Sequence, residues 1–162
     1  MNQDLIVVSE KNEVIKTADT TDIHKNNLLH RSVHVIIVDS KGRFFCRKIN
    51  SASPLYANYW STATGAHVLA NHNTLETAYS SIKDMLGIHT DLKFIGDIHI
   101  SDNVENEISS TYIGNFDGPF NLNGDKVADG KFFTEEELNN LFKSEKVTPH
   151  LIESIKLYKR TT

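Results

Sequence analysis

Cysteine is all but absent: Cys46 stands alone in 162 residues. One thiol can close no internal disulfide and build no multi-cysteine zinc site, so a reducing, cytoplasmic setting is expected. Proline occupies 3 positions and glycine 8, too few for collagen-like repeats or Pro/Gly-driven disorder. No stretch approaches the ~20 apolar residues of a membrane-spanning helix. The opening Met-Asn-Gln-Asp-Leu-Ile-Val-Val has neither the positive start nor the small-residue cleavage site of a secretory signal. A basic block is missing too. The 17 Lys and Arg face 21 Asp and Glu for a net charge of -4, so neither a nucleic-acid surface nor an anionic-membrane surface is expected. There is no fixed-period repeat and no low-complexity tract.

What is present suits a globular core. Apolar residues make up 39% of the chain, and at this length folding buries roughly 70% of the extended-chain surface. One domain spanning 1–162 is expected. Leu5–Val8 and Glu13–Thr17 read as paired strands, and the polar segment 18–27 as a loop. Ser32–Val38 is β-branched and almost continuously apolar, as in a strand covered on both faces. Asp39-Ser40-Lys41-Gly42 turns the chain into a strand at Arg43–Ile49, and Trp60–His67 reads as extended. Asn73 followed by Glu76 opens a helix that closes at Gly87. Leu92–Ile100, Glu107–Phe116 and Lys126–Phe133 read as strands. Two further helices open at Thr134, with a capping box, and at Thr148-Pro149. Strands, helix, strands and helices in that order describe an α+β fold of sheet and helix layers.

The stretch from Gly65-Ala66-His67 to Gly87-Ile88 resembles the Nudix box, G-x5-E-x7-R-E-U-x-E-E-x-G-U, in which U is bulky and aliphatic. Anchored on Gly87-Ile88, Ala66 falls on the leading Gly, His72 on the first Glu and Ser80-Ser81 on Arg-Glu. Ile82 takes the aliphatic position and Asp84-Met85 falls on Glu-Glu. His30-Arg31-Ser32-Val33-His34-Val35, Trp60 and Asp117-Gly118-Pro119-Phe120 are similar to the branch containing type I isopentenyl diphosphate isomerase. The resemblance runs from about Leu5 to Leu157. It implies a Nudix-type α/β/α sandwich with a mixed central sheet, and a hydrolase of a small nucleoside- or isoprenoid-diphosphate-type substrate that uses Mg²⁺ or Mn²⁺.

In that family, Glu residues at i, i+3 and i+4 of the box helix hold the ion. Here those slots read Ser81, Asp84 and Met85: one carboxylate, one neutral hydroxyl and one soft thioether. The supporting Arg is Ser80. Hydrolysis is therefore expected to be weakened or lost, with a non-catalytic ligand-binding protein as the alternative. An isomerase ranks behind both, because its catalytic Cys falls at Gly65.

The isomerase resemblance also implies a second set of ligands. His24, His30 and His67 lie at or near its metal-binding histidines, His24 one residue off in spacing. Glu105-Asn106-Glu107 matches the stretch that supplies a metal ligand and an acid/base carboxylate. Glu105 and Glu107 alternate along one strand face, so they could join the histidines around a divalent ion. The candidate catalytic residues are thus Asp84 and Glu107, and the candidate ligands His24, His30, His67, Asp84, Glu105 and Glu107. Tyr56 and Trp60 are candidate substrate contacts for a small diphosphate-type partner, and self-association stays open. Each has a plainer reading: surface histidines, carboxylates flanking a turn, a solvated Asp84, and Trp60 as core filling. His34, inside an apolar strand, reads as a core or interface residue, and Cys46 as a small buried hydrophobe.

Overall fold

The computed structural model describes residues 3–144 and 146–162. Its strands are β1 (Asp4–Val8), β2 (Val14–Asp19), β3 (His30–Val38), β4 (Phe44–Ile49), β5 (Trp60–Ser61), β6 (Thr64–His67), β7 (Lys93–Ser101), β8 (Asn106–Asn115) and β9 (Val127–Phe133). Its helices are α1 (Thr20–Lys25), α2 (Thr74–Leu86), α3 (Glu135–Ser144) and α4 (Pro149–Thr161).

The central strand is β3. It runs parallel to β8 along its whole length and antiparallel to β1, β4 and β6. On that second edge the partner changes midway. Ile37 and Val38 pair with β4, whereas Ser32 to Val35 pair with β6. The sheet therefore forks, and a cleft opens between β4–β5 and β3–β6, with residues of all four strands on its walls. Mixed pairing and helices on both faces agree with the α+β expectation.

Alternation along β3 builds the two layers. Val33, Val35 and Ile37 face Ala78, Ile82 and Leu86 of α2. Ile36 and Val38 face the other way, with Cys46, against Leu138 and Leu141 of α3 and Leu151 and Ile155 of α4. Truncating a filled position such as Ile82→Ala should cost about 2–5 kcal/mol. The ends of α2 are as expected: Asn73 accepts from Glu76 N, and Gly87 closes the helix at φ 64. That left-handed conformation favours glycine.

Two expectations need correction. The segment read as a loop carries the end of β2 and then α1, because Asp19 Oδ1 accepts from Asp22 N at 2.8 Å and Ile23 buries itself beside Leu5 and Val7. Six residues are too few to show a helical apolar period. Trp60, read as a substrate contact, lies instead in the α3/α4 layer, edge-on to Phe133 at 5.2 Å between ring centroids. No helix among the described residues is long and apolar enough to cross a membrane.

Candidate functional site

Three backbone segments bring histidines to one point. α1 carries His24, β3 begins with His30, and β6 ends with His67. The register places His30 opposite Glu107 on β8, and His67 opposite Ser32 one side-chain step along β3. The three rings sit 5.0–5.5 Å apart between centroids. Glu105 reaches between them: its Oε1 is 2.7 Å from His24 Nε2 and 3.3 Å from His30 Nε2, and its Oε2 is 2.6 Å from His67 Nε2. Glu107 Oε2 lies 3.4 Å from His30 Nε2 and 3.7 Å from His67 Nε2. His30, Glu105 and Glu107 are buried.

Hydrogen bonds on the far side of two rings set their tautomers. His24 Nδ1 donates to the Thr20 carbonyl and His30 Nδ1 to the Leu28 carbonyl, both at 2.9 Å. Each Nε2 is then a lone pair turned toward carboxylate oxygens, unless a proton or a cation lies between. His30 Nε2 and Glu107 Oε2 have no hydrogen-bond partner among the described residues. Backbone-anchored imidazoles facing buried carboxylates are the arrangement that metal-ligating histidines adopt. His24, His30, His67 and Glu105 each offer one ligand atom, all within 4.8 Å of one another. The donor set fits a divalent cation.

Without a cation, protons must carry the charge. Burial alone would hold His30 neutral, but the pull of Glu105 and Glu107 outweighs it and raises its pKa to about 10. Burial likewise works against the charged forms of Glu105 and Glu107. The facing histidines nonetheless bring both carboxyls below the ordinary carboxylate value.

The other edge of Glu107 meets His150 at the start of α4, through Oε1 and Nε2. His150 stacks on His34 with 4.3 Å between centroids, and the three form a second group of potential ligands. Both groups border the forked cleft, a cavity of about 470 Å³ whose walls include His67, Glu105, Glu107, Arg47, Tyr56 and Lys126. Tyr56 donates its hydroxyl to Asp102 Oδ2 at 2.7 Å.

The α2 face is built differently. Asp84 is half exposed and ion-paired to Lys126 Nζ at 2.5 Å. Ser81 is buried and donates to the Ala78 carbonyl, and Met85 packs on the core. They border a recess of about 310 Å³ that adjoins the cleft and shares His67, Met85 and Lys126 with it. Neither ligand group found among the described residues includes a residue of α2. Asp84 thus belongs to neither group, although it lines the same recess as His67, whereas the five other candidate ligands come together. Sequence reasoning missed His150, Lys126 and the position of Arg47 in the cleft. The Thr148-Pro149 cap locates the start of α4, but no local signal links position 150 to 107. His34, expected to be buried, is buried and also borders the cavity.

No protein-family model matches the chain. Among curated proteins it is similar to an isopentenyl-diphosphate Delta-isomerase of Serratia proteamaculans, 26% identical over 123 residues, 73% of this chain and 69% of the relative. It is also similar to YfcD of Escherichia coli, described as an uncharacterized Nudix hydrolase, 23% identical over 154 residues, 94% of this chain and 84% of the relative. Among solved structures, DR0079 of Deinococcus radiodurans superposes with a TM-score of 0.80 at 15% identity, covering 97% of this chain and 98% of that one. The Nudix domain of Shewanella oneidensis NrtR, complexed with ADP ribose, gives 0.64 at 11% identity, with 82% and 88% covered. The forked mixed sheet with helices on both faces is the α+β Nudix fold, and among curated proteins the chain is similar both to isopentenyl-diphosphate isomerases and to Nudix hydrolases.

Proposed function

We propose that the protein is a divalent-metal-dependent enzyme acting on a small diphosphate-type molecule, with the ion held by His24, His30, His67, Glu105 and Glu107 and not by α2. The observation that carries this reading is the convergence of three imidazole Nε2 atoms on two buried carboxylates, two of the converging atoms having no hydrogen-bond partner among the described residues. Mn²⁺, Zn²⁺ or Fe²⁺ would suit so imidazole-rich a set better than Mg²⁺, which prefers oxygen. Such an ion supplies charge stabilisation for a phosphoryl oxygen and acidifies a bound water. The protein's own residues supply the rest. Arg47 and Lys126 put positive charge on the cavity wall, and Glu107 with His150 forms a buried pair able to accept or return a proton. The ADP ribose in the NrtR Nudix domain supports a small diphosphate as the kind of ligand.

A non-catalytic ligand-binding role is the second reading, favoured by the Asp84–Lys126 pair and the neutral Ser81 on α2. Isomerisation is the least supported. Gly65 has no thiol, and Cys46 is fully buried in the α3/α4 layer, where burial pushes its thiol pKa up. The test is calorimetric titration of purified, chelator-stripped protein with Mn²⁺ and Zn²⁺, followed by phosphate-release assays on a diphosphate panel. One ion per chain with turnover supports the enzyme, and one ion without turnover supports the binding protein. Undetectable metal binding would refute both the cluster assignment and the enzyme reading built on it.

A further inference from the structure

A divalent ion finds little to bind on the α2 face. Ser81 Oγ donates to the Ala78 carbonyl at 2.8 Å and lies 2.7 Å from Thr64 Oγ1. The Met85 thioether is a soft donor packed on the core. The one carboxylate, Asp84, already holds the Lys126 ammonium at 2.5 Å. A further cation brought to Asp84 would meet that positive charge at close range, and Mg²⁺ or Mn²⁺ requires several oxygens.

The backbone around Lys126 fixes where its side chain starts. The segment before it caps α2: Asn121 N donates to the Leu86 carbonyl at 2.9 Å, and Asn123 N to the Met85 carbonyl at 3.0 Å. Both carbonyls belong to the last helical turn, which has no partners of its own. A turn then closes from Lys126 N to the Asn123 carbonyl at 3.0 Å, and Asn50 N, just past β4, donates to the Lys126 carbonyl at 3.3 Å. Lys126 is thus tied to α2 on one side and to the end of β4 on the other. It borders both the forked cleft and the adjoining recess, as His67 and Met85 do. An ammonium has three N–H donors. Asp84 takes one, and Nζ has no other partner among the described residues. The side chain is 53% exposed, so the remaining donors are open to a ligand.

We propose that the Lys126 ammonium, held by Asp84, is a built-in cation on the α2 side that binds one anionic oxygen of a phosphate-type ligand directly, without a metal ion. The ligand is then held by two different means, an ion at the histidine–glutamate cluster and an amine where cleft and recess meet. A charge-assisted hydrogen bond from a half-exposed amine is worth roughly tenfold in affinity. The inference rests on the reading of the cleft as a diphosphate site, and adds the group that makes the contact on its α2 side.

The test is calorimetric binding of inorganic pyrophosphate to the full chain, once with Mn²⁺ and once in chelator, with a separate count of the Mn²⁺ bound in the absence of pyrophosphate. Wild-type protein should bind pyrophosphate under both conditions, more weakly in chelator. Lys126→Met should weaken binding about tenfold in each, and Lys126→Arg should recover most of the loss. Position 126 is half exposed, so both variants are expected to fold, which an unchanged thermal midpoint within a few degrees checks. An unchanged affinity in Lys126→Met, or a loss confined to the Mn²⁺-loaded protein, overturns the built-in cation and leaves the diphosphate site standing. So does wild-type binding that vanishes in chelator. A second Mn²⁺ per chain that disappears in Asp84→Asn overturns it too, because an ion would then sit where the lysine is placed. Failure of pyrophosphate to bind with Mn²⁺ or without it removes the diphosphate site and this inference together.

Discussion

Two faces of this molecule carry carboxylates that a divalent ion could use, and they are built in opposite ways. On α2, Asp84 stands half in water with Lys126 2.5 Å away, and its neighbours along the helix are a buried hydroxyl and a thioether in the core. At the fork of the sheet, Glu105 and Glu107 are buried among imidazoles, two of which, His24 and His30, have their other nitrogen tied to a backbone carbonyl. An exposed carboxylate is screened and neutralised by a lysine at little cost, so it requires no ion. A buried carboxylate facing lone pairs requires a proton or a metal. The number of acids in a segment matters less than what encloses them.

Removing Glu105 should separate the two faces most sharply. Glu105→Ala takes away the carboxylate that three histidines share, and breaking a buried charged set of this kind costs about 3–5 kcal/mol. Denaturant unfolding of the metal-free variant checks the stability, and Mn²⁺ titration should show a loss of at least about a hundredfold in affinity. Asp84→Ala should leave Mn²⁺ affinity within about twofold; a large loss there would return the ion to α2.

Next in size is the attempt to rebuild the box. Ser81 is buried and its Oγ is bonded to the Ala78 carbonyl and shared with Thr64 Oγ1 at 2.7 Å. Ser81→Glu should therefore destabilise by about 1–3 kcal/mol, read as a lower thermal midpoint, before it offers any ion a ligand. Met85→Glu, at a half-buried position, should be tolerated better. If Ser81→Glu keeps full stability and gains Mg²⁺ binding, the contrast between the faces is one of composition alone.

The pH dependence has a sign that follows from the shifts. In the metal-free protein His30 is raised from 6.5 to about 10. Its contribution to stability is full below about 6.5 and disappears as pH rises toward 10. Glu105 and Glu107 are lowered from 4.5, so their contribution is present above about 4.5 and lost on acidification. Chelator-treated protein should have its highest thermal midpoint between those limits. A metal must displace the His30 proton, so Mn²⁺ affinity should rise roughly tenfold per pH unit between pH 6 and 8. Calorimetry in buffers of different ionisation enthalpy should register proton release. The smallest effect belongs to Lys126→Ala, which should change stability by no more than about 1 kcal/mol, since an exposed pair contributes little.

How much of this was legible in one dimension differs by residue. The α2 ends were readable because Asn73 and Gly87 act through their own backbone neighbourhoods. The separation of Glu105 and Glu107 by one residue announces a shared strand face, and both do turn to the same cluster. His24 was harder, since the six-residue α1 that aims it has no apolar period and its segment reads as loop. Trp60 reads as core filling sooner than as ligand wall, and it lies in the core that α3 and α4 cover. His150 was out of reach, because its partner lies 43 residues away and the contact depends on how α4 docks.

By itself the amino-acid order determined the layered architecture, the order of most elements, and the presence of a single carboxylate among Ser81, Asp84 and Met85 on α2. Those properties follow from local periodicity, capping and side-chain chemistry, which need no distant partner. Only the tertiary structure decided that three histidines and two glutamates share one point while Asp84 does not, and that Arg47 is buried without an ion-pair partner among the described residues. Burial and long-range strand register set these, and both are properties of the packed chain, where excluding water turns ordinary polar residues into groups that must find a partner.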